Sequence, residues 1–170
     1  MSPDTILRCN CGKVECRATG APFYTAVCYC DHCQEAARLI GESGNGPAVM
    51  EADGGTALCL IRDDRFQITK GANLLTPHLR DPASATSRMV ASCCHSAMFL
   101  CFSDGRFWKS AMVGRIVGAR PEIEARLCTR FRESALPWPD NAPRYSGFPA
   151  RALFKIARQW LSMRLGKKAV

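Results

Sequence analysis

Along the first hundred residues the apolar side chains come in short runs, several of them alternating with polar positions. That is the period of half-buried β-strands. Lys13 to Thr19 puts Val14, Cys16 and Ala18 on one face. Phe23 to Val27 reads as a second strand, and Thr56–Ile61 with Arg65–Thr69 as a pair joined by a turn at Asp63-Asp64. Leu74-Leu75, Arg88 to Ala91 and Ala97 to Phe102 complete a strand-rich body. Between them Gly41 to Gly55, with five glycines and Pro47, reads as a loop.

After residue 110 the period changes. Pro121-Glu122-Ile123-Glu124 has proline in a first turn and acids near a positive dipole end, and Ile123, Leu127 and Phe131 continue at helical spacing. Leu136 to Phe148 is rich in Pro, Asn and Gly and predicts irregular chain. From Ala150 a final helix is expected, with Leu153, Ile156, Ala157, Trp160 and Leu161 on one side and Arg151, Lys155 and Arg158 on the other. The expected fold class is therefore mainly β with C-terminal α-helices. The expected organisation is a β domain over residues 1–110 and a basic helical extension over 111–170, packed on the same domain.

At 170 residues and 47% hydrophobic, the chain is the size of one globular domain with a real core. Its start lacks a basic region followed by an apolar core, and no apolar run is long enough to span a bilayer. A cytoplasmic protein is the expectation. The formal charge of +8 is uneven: residues 1–110 hold 11 basic and 11 acidic side chains, residues 111–170 hold 12 and 4. Arg151, Lys155, Arg158, Arg164, Lys167 and Lys168 could thus meet nucleic acid or anionic lipid, although basic helices more commonly lie on their own domain with their charges in water.

The candidate chemistry lies in the cysteines. Eleven is an odd number, which excludes a fully paired disulfide framework, and in a reducing compartment clusters favour metal. Cys28-x-Cys30-x-x-Cys33 supplies three thiolates to one soft tetrahedral ion such as zinc. Three local ligands leave a corner open for a guest, unless Cys59 or His78 closes it; His32 could replace one of the sulfurs. Cys9-x-Cys11-Gly12 offers half of a second site, with the other half expected from Cys93-Cys94-His95. Cys16, Cys59, Cys101 and Cys128 sit among apolar neighbours and read as small core residues, Trp108, Trp138 and Trp160 as packing anchors, and His78 as a surface residue.

In order and separation these motifs resemble the glutathione-dependent formaldehyde-activating enzyme (GFA) family, which includes centromere protein V and has an Mss4-like zinc-bound β-fold. The matching stretches are Cys9-Asn10-Cys11-Gly12, Thr19-Gly20-Ala21-Pro22, Cys28-Tyr29-Cys30-Asp31-His32-Cys33, Phe66 to Gly71 and Val90 to Met98. They cover roughly residues 6 to 103. The resemblance implies a catalytic zinc on Cys28, Cys30 and Cys33, and a structural zinc on Cys9, Cys11 and Cys94. Ala91 stands where the family has its first hairpin cysteine, and His95 replaces a glycine. The fourth structural ligand is then Cys93, His95 or Cys101.

The resemblance further implies zinc at one site or two, glutathione as co-substrate, and carbon–sulfur lyase chemistry on a thiol–aldehyde adduct such as S-hydroxymethylglutathione. Asp31 or His32 could move protons there or be plain turn residues, and the loop from Gly41 could be a lid. For glutathione itself Gly46 and Arg38 are conceivable contacts. The rival reading is a zinc-stabilised binding module without catalysis, contacting acidic partners through its basic last helix.

Overall fold

A computed structural model describes residues 3–166. Among the described residues ten strands form two sheets. β1 (Thr5–Arg8), β2 (Glu15–Ala18) and β5 (Phe66–Lys70) make a three-stranded sheet in the order β1-β2-β5. The larger sheet contains β3 (Tyr24–Cys28), β4 (Thr56–Arg62), β6 (Leu75–Leu79), β7 (Thr86–Ala91), β8 (Ser96–Phe102), β9 (Trp108–Met112) and β10 (Ala125–Leu127). Its order is β10-β3-β4-β9-β8-β7-β6.

The alternation seen in the sequence becomes burial. Val14, Cys16 and Ala18 are sealed between the sheets with Leu7, Cys59, Met98 and Phe99. Phe66 packs edge-on to Phe99, with ring centroids 4.8 Å apart. Each fully buried large side chain in this core contributes roughly 1.5–3 kcal/mol. Cys16 and Cys59 are core residues, and burial pushes both thiols up to about 12.

Two α-helices are present among the described residues, α1 (Asp31–Glu42) and α2 (Ala150–Arg164). α1 fills a stretch for which the sequence reading has no element. Its buried residues Cys33, Ala36, Ala37 and Ile40 lie at helical spacing, so the signal is present, beneath the cysteine pattern.

The helix expected from Pro121 does not form. β10 runs parallel to β3 there, with Leu127 opposite Cys28, followed by a 3-10 turn at Thr129–Phe131. The reason is a long-range polar network. Arg126 reaches inward from β10 to Asp53 at 2.8 Å and to Asp140 at 2.8 Å, and also donates to the Tyr29 hydroxyl. Tyr29 in turn donates to Asp53 at 2.6 Å. A buried guanidinium with two carboxylate partners holds the segment extended, because a helix would withdraw it from them. Residues 136–148 are irregular, as expected, apart from an isolated bridge between Arg126 and Arg144.

The faces of α2 follow the expectation only in part: Arg151 and Arg158 are exposed and Ile156 is half-buried, but most of the apolar side is exposed as well. Ala152 is sealed against Tyr24 and Ala26, while Lys155 pairs with Glu124 and Ser162 accepts from Arg62. Leu153, Phe154, Trp160, Leu161 and Leu165 point outward, with Phe154 70% exposed. Trp160 is therefore no packing anchor, whereas Trp138 is, edge-on to Tyr29 at 5.6 Å. Lys167 and Lys168 lie outside the described residues.

Candidate metal centres and active site

Cys28 ends β3, Cys30 is the residue before α1, and Cys33 lies in its first turn. Their sulfur atoms are all within 4.8 Å of one another. The backbone N–H groups of Cys33 and Gln34 donate to the Cys30 carbonyl at 2.9 and 3.1 Å, which wraps the chain tightly around the three sulfurs. The positive end of α1 faces this cluster and favours thiolate over thiol. Gln34 braces it from below, its Nε2 donating to the carbonyls of Tyr29 at 2.6 Å and Phe131 at 2.7 Å. Because Tyr29 is tied to Asp53 and Arg126, the loop between the first two cysteines is fixed from the core side.

Among the three sulfurs the proton demand is uneven. Hydrogen bonds from Cys28 and then Cys33 hold the Cys30 thiol well below the usual thiol range. Cys28 is pushed up, chiefly by its hydrogen bond with Cys128 and then by those with Cys30 and Cys33. Cys128 is the residue that sequence reasoning missed: it is buried, yet its thiol lies against Cys28. It sits one position after β10 with φ +57°, a left-handed conformation costing a cysteine roughly 1–2 kcal/mol. The parallel pairing of β10 with β3 brings it there, and no local motif signals that. Cys59 lies instead in the main core, and His78 pairs across the strands with Arg88. His78 is half-buried, with Nδ1 enclosed and without a described partner, so it is not a plain surface residue.

A cavity of about 490 Å³ opens above the triplet and is lined by Cys28, Cys30, Cys33 and His32. Its walls are largely apolar, from Leu60, Leu100, Phe102, Trp108 and Leu127, with Phe148 and Leu153 at the side of α2. Two other cavities, of about 420 and 320 Å³, contain no cysteine. No residue of the loop 43–55 lines the triplet cavity, so that loop is not its lid. Gly46 of that loop lies against the hairpin, where a Cβ would come within 2.0 Å of the His95 carbonyl oxygen. Arg38 is exposed and pairs with Glu42, and Asp31 is not among the lining residues.

The second cluster gathers Cys9, Cys11, Cys93 and Cys94, with all sulfurs within 4.8 Å of one another. Cys9 lies 3.7 Å from Cys11 and 3.9 Å from Cys93; Cys93 lies 3.4 Å from Cys11 and 4.0 Å from Cys94. Zinc–sulfur bonds of about 2.3 Å set tetrahedral sulfur–sulfur edges of about 3.8 Å, which these four distances bracket. The donor set and spacing thus fit a closed structural site. The Val14 N–H donates to the Cys9 sulfur at 3.2 Å, and the buried Ser96 hydroxyl lies 3.1 Å from that of Cys94.

Of the candidates for the fourth position, the structure brings Cys93 into this group and leaves His95 and Cys101 out of it. The His95 ring turns away, with Nε2 2.8 Å from the Ile40 carbonyl oxygen and 3.0 Å from the Ser43 hydroxyl at the end of α1. Its φ is +54°, the conformation that suits the glycine of the resembling family. Cys101 is half-buried on β8, away from both clusters.

The family model described as glutathione-dependent formaldehyde-activating enzyme matches residues 5–122. No curated protein matches the chain. Among solved structures, a crystal structure of a Rhodobacter sphaeroides protein is similar, at 16% identity and a TM-score of 0.49, covering 69% of this chain and 96% of that one. Among the described residues no helix is long and apolar enough to cross a membrane.

Proposed function

Since the chain belongs to the glutathione-dependent formaldehyde-activating enzyme family, we propose that it makes or breaks a carbon–sulfur bond in a thiol–aldehyde adduct of the S-hydroxymethylglutathione type. The observation that carries this reading is the triplet of sulfurs at the floor of a roomy, largely apolar cavity. A zinc ion held by Cys28, Cys30 and Cys33 would keep an incoming thiol deprotonated at neutral pH. The chain's own part is to orient and to dry the site. Cys28, Cys30 and Cys33 would each give up a proton to hold the ion. The apolar walls exclude water from the adduct, which otherwise competes for the aldehyde carbon. His32 stands exposed among the lining residues and can pass a proton between the adduct's hydroxyl and solvent.

Metal analysis of protein purified without added metal, followed by titration with glutathione, tests this. The expected result is two zinc ions per chain, one of which responds to thiol. In Cys30→Ser one ion is lost and turnover ceases while the far-ultraviolet spectrum is kept. A triplet metal that ignores every thiol would favour the non-catalytic binding module instead.

A second role rests on α2. Its outward face is apolar, Arg151, Arg158 and Arg164 flank it, and the helix contains no acidic residue. Pairing with a second copy would bring like charges together, whereas an anionic lipid surface complements both the apolar face and the arginines. Sedimentation with phosphatidylserine vesicles at low salt is the test. Binding should weaken with salt and be lost in the Phe154→Glu, Leu161→Glu double variant. No binding at low salt, or binding to DNA alone, removes this reading.

A further inference from the structure

Three arginines line the triplet cavity, and they differ in what holds them. Arg80 is paired with Glu35 at 3.0 Å and with Asp81 at 2.7 Å. Arg106 is paired with Asp104 at 2.8 Å and lies over the Phe102 ring. Arg88, on β7, is only 4% exposed, and among the described residues no carboxylate pairs with it. Its Nη2 instead donates to the His32 carbonyl at 2.9 Å, in the first turn of α1 and one residue before Cys33. A buried guanidinium is expensive unless an anion accompanies it. The anion at this cavity floor is the triplet itself. At Cys33 the hydrogen bond from Cys28 and then the Arg88 charge favour the thiolate, against the hydrogen bond with Cys30 and burial.

Resting on the reading of the triplet as the thiol site, we propose that Arg88 is a positioning residue that supplies this site's counter-charge and makes it select an anionic guest over a neutral one. Three thiolates around a divalent ion leave one net negative charge, and a guest thiolate adds a second. In a largely apolar cavity those charges repel strongly, because little solvent screens them. A fixed cation in the cavity wall offsets the first charge before the guest arrives. Arginine suits the position. It stays ionised when buried, and its planar fork can bond the His32 carbonyl with one nitrogen and leave its other donors for the sulfurs. The same hydrogen bond ties β7 to the first turn of α1, and so fixes Cys33 relative to the large sheet.

Cobalt-substituted full-length protein tests this without relying on turnover, since sulfur-to-cobalt absorption changes when a guest reaches the metal. The probes are azide and 2-mercaptoethanol, which bind as anions, and imidazole, which binds neutral. In Arg88→Gln, azide and the thiol should each bind about tenfold or more weakly, the size of one charge-assisted contact, while imidazole binding should scarcely change. Arg88→Lys keeps the charge and should retain most of the anion affinity. Equal loss of all three probes in Arg88→Gln, no loss of any, or a loss as large in Arg88→Lys overturns the proposal and leaves the thiol site standing. Selective loss of azide in a protein that no thiol reaches would keep the role of Arg88 and remove the thiol site. If no probe changes the spectrum of the unaltered protein, both fall. Arg88→Met, similar in length and free of buried charge, takes the place of Arg88→Gln if that variant does not fold.

Discussion

Two side chains, Cys128 and His95, show how single residues are held in costly conformations by what they touch. Cys128 accepts a left-handed backbone and lies against the Cys28 sulfur. It lies beside one member of the triplet without belonging to the group of three, and removing such an outer partner of a metal-binding side chain typically loosens the metal by about 10–100-fold. Cys128→Ala should therefore keep its metal stoichiometry and release metal from the triplet to a chelator more readily; unchanged release would show the contact to be incidental. His95 is also left-handed, and two hydrogen bonds at the end of α1 compensate. His95→Gly exchanges about 1–2 kcal/mol of backbone strain for lost bonds of similar size, so its denaturation midpoint should scarcely move. Its metal content should stay that of the unaltered protein, because the quartet is completed by Cys93. Loss of one metal in His95→Gly would assign the ring to the quartet after all.

The element with most at stake is β10. It is three residues long, all buried, and carries Arg126 between Asp53 and Asp140. Replacing Arg126 with Met leaves the Asp53 carboxylate and the Tyr29 hydroxyl enclosed without their cation. That should cost about 3–5 kcal/mol in a urea titration. The loop holding Cys28 and Cys30 shares Tyr29, so the variant should also bind metal at the triplet more weakly. Asp140 gives the sign of a pH effect. Its hydrogen bond with Arg126 holds its carboxyl below the usual range, so the folded pKa lies under the unfolded one. Its contribution is present above about pH 4 and is lost as pH falls through the depressed folded value. Asp140→Asn should be less stable than the unaltered chain at pH 7, with the gap closing as pH falls through the depressed folded value. A gap independent of pH would mean that the carboxylate's charge plays no part.

Across the whole molecule the two cysteine clusters divide the work by position. The quartet joins the chain after β1, in the small sheet, to the β7–β8 hairpin of the large one, across 84 residues of sequence between Cys9 and Cys93. Closing so long a loop by metal ligands should contribute several kcal/mol of folding free energy. The triplet lies within six residues at one end of α1 and closes almost nothing. Stripping all metal should thus lower the melting temperature far more than Cys30→Ser alone, as scanning calorimetry would show. α1 links them physically, with Cys33 in its first turn and its last turn bonded to His95 beside Cys94.

β1 and β2 bury one face, and burial on one face writes a period of two into the residues, whereas β3, β4 and β8, buried on nearly every side chain, were legible as short apolar runs. β10 is buried on every side chain, so no period marks it, and the spacing of Ile123, Leu127 and Phe131 fits a helix equally well. The apolar stripe of α2 was equally plain, but a stripe does not say what it faces. Sequence by itself determined which sulfurs lie close enough along the chain to share an ion, since a spacing of one or two residues leaves them little choice. Only tertiary structure decided that Cys93 joins Cys9 and Cys11, that Cys128 reaches Cys28, and that the buried Arg88 donates to the His32 carbonyl beside Cys33. Each of those contacts joins residues more than fifty apart, where strand order and register, not local preference, set which side chains meet.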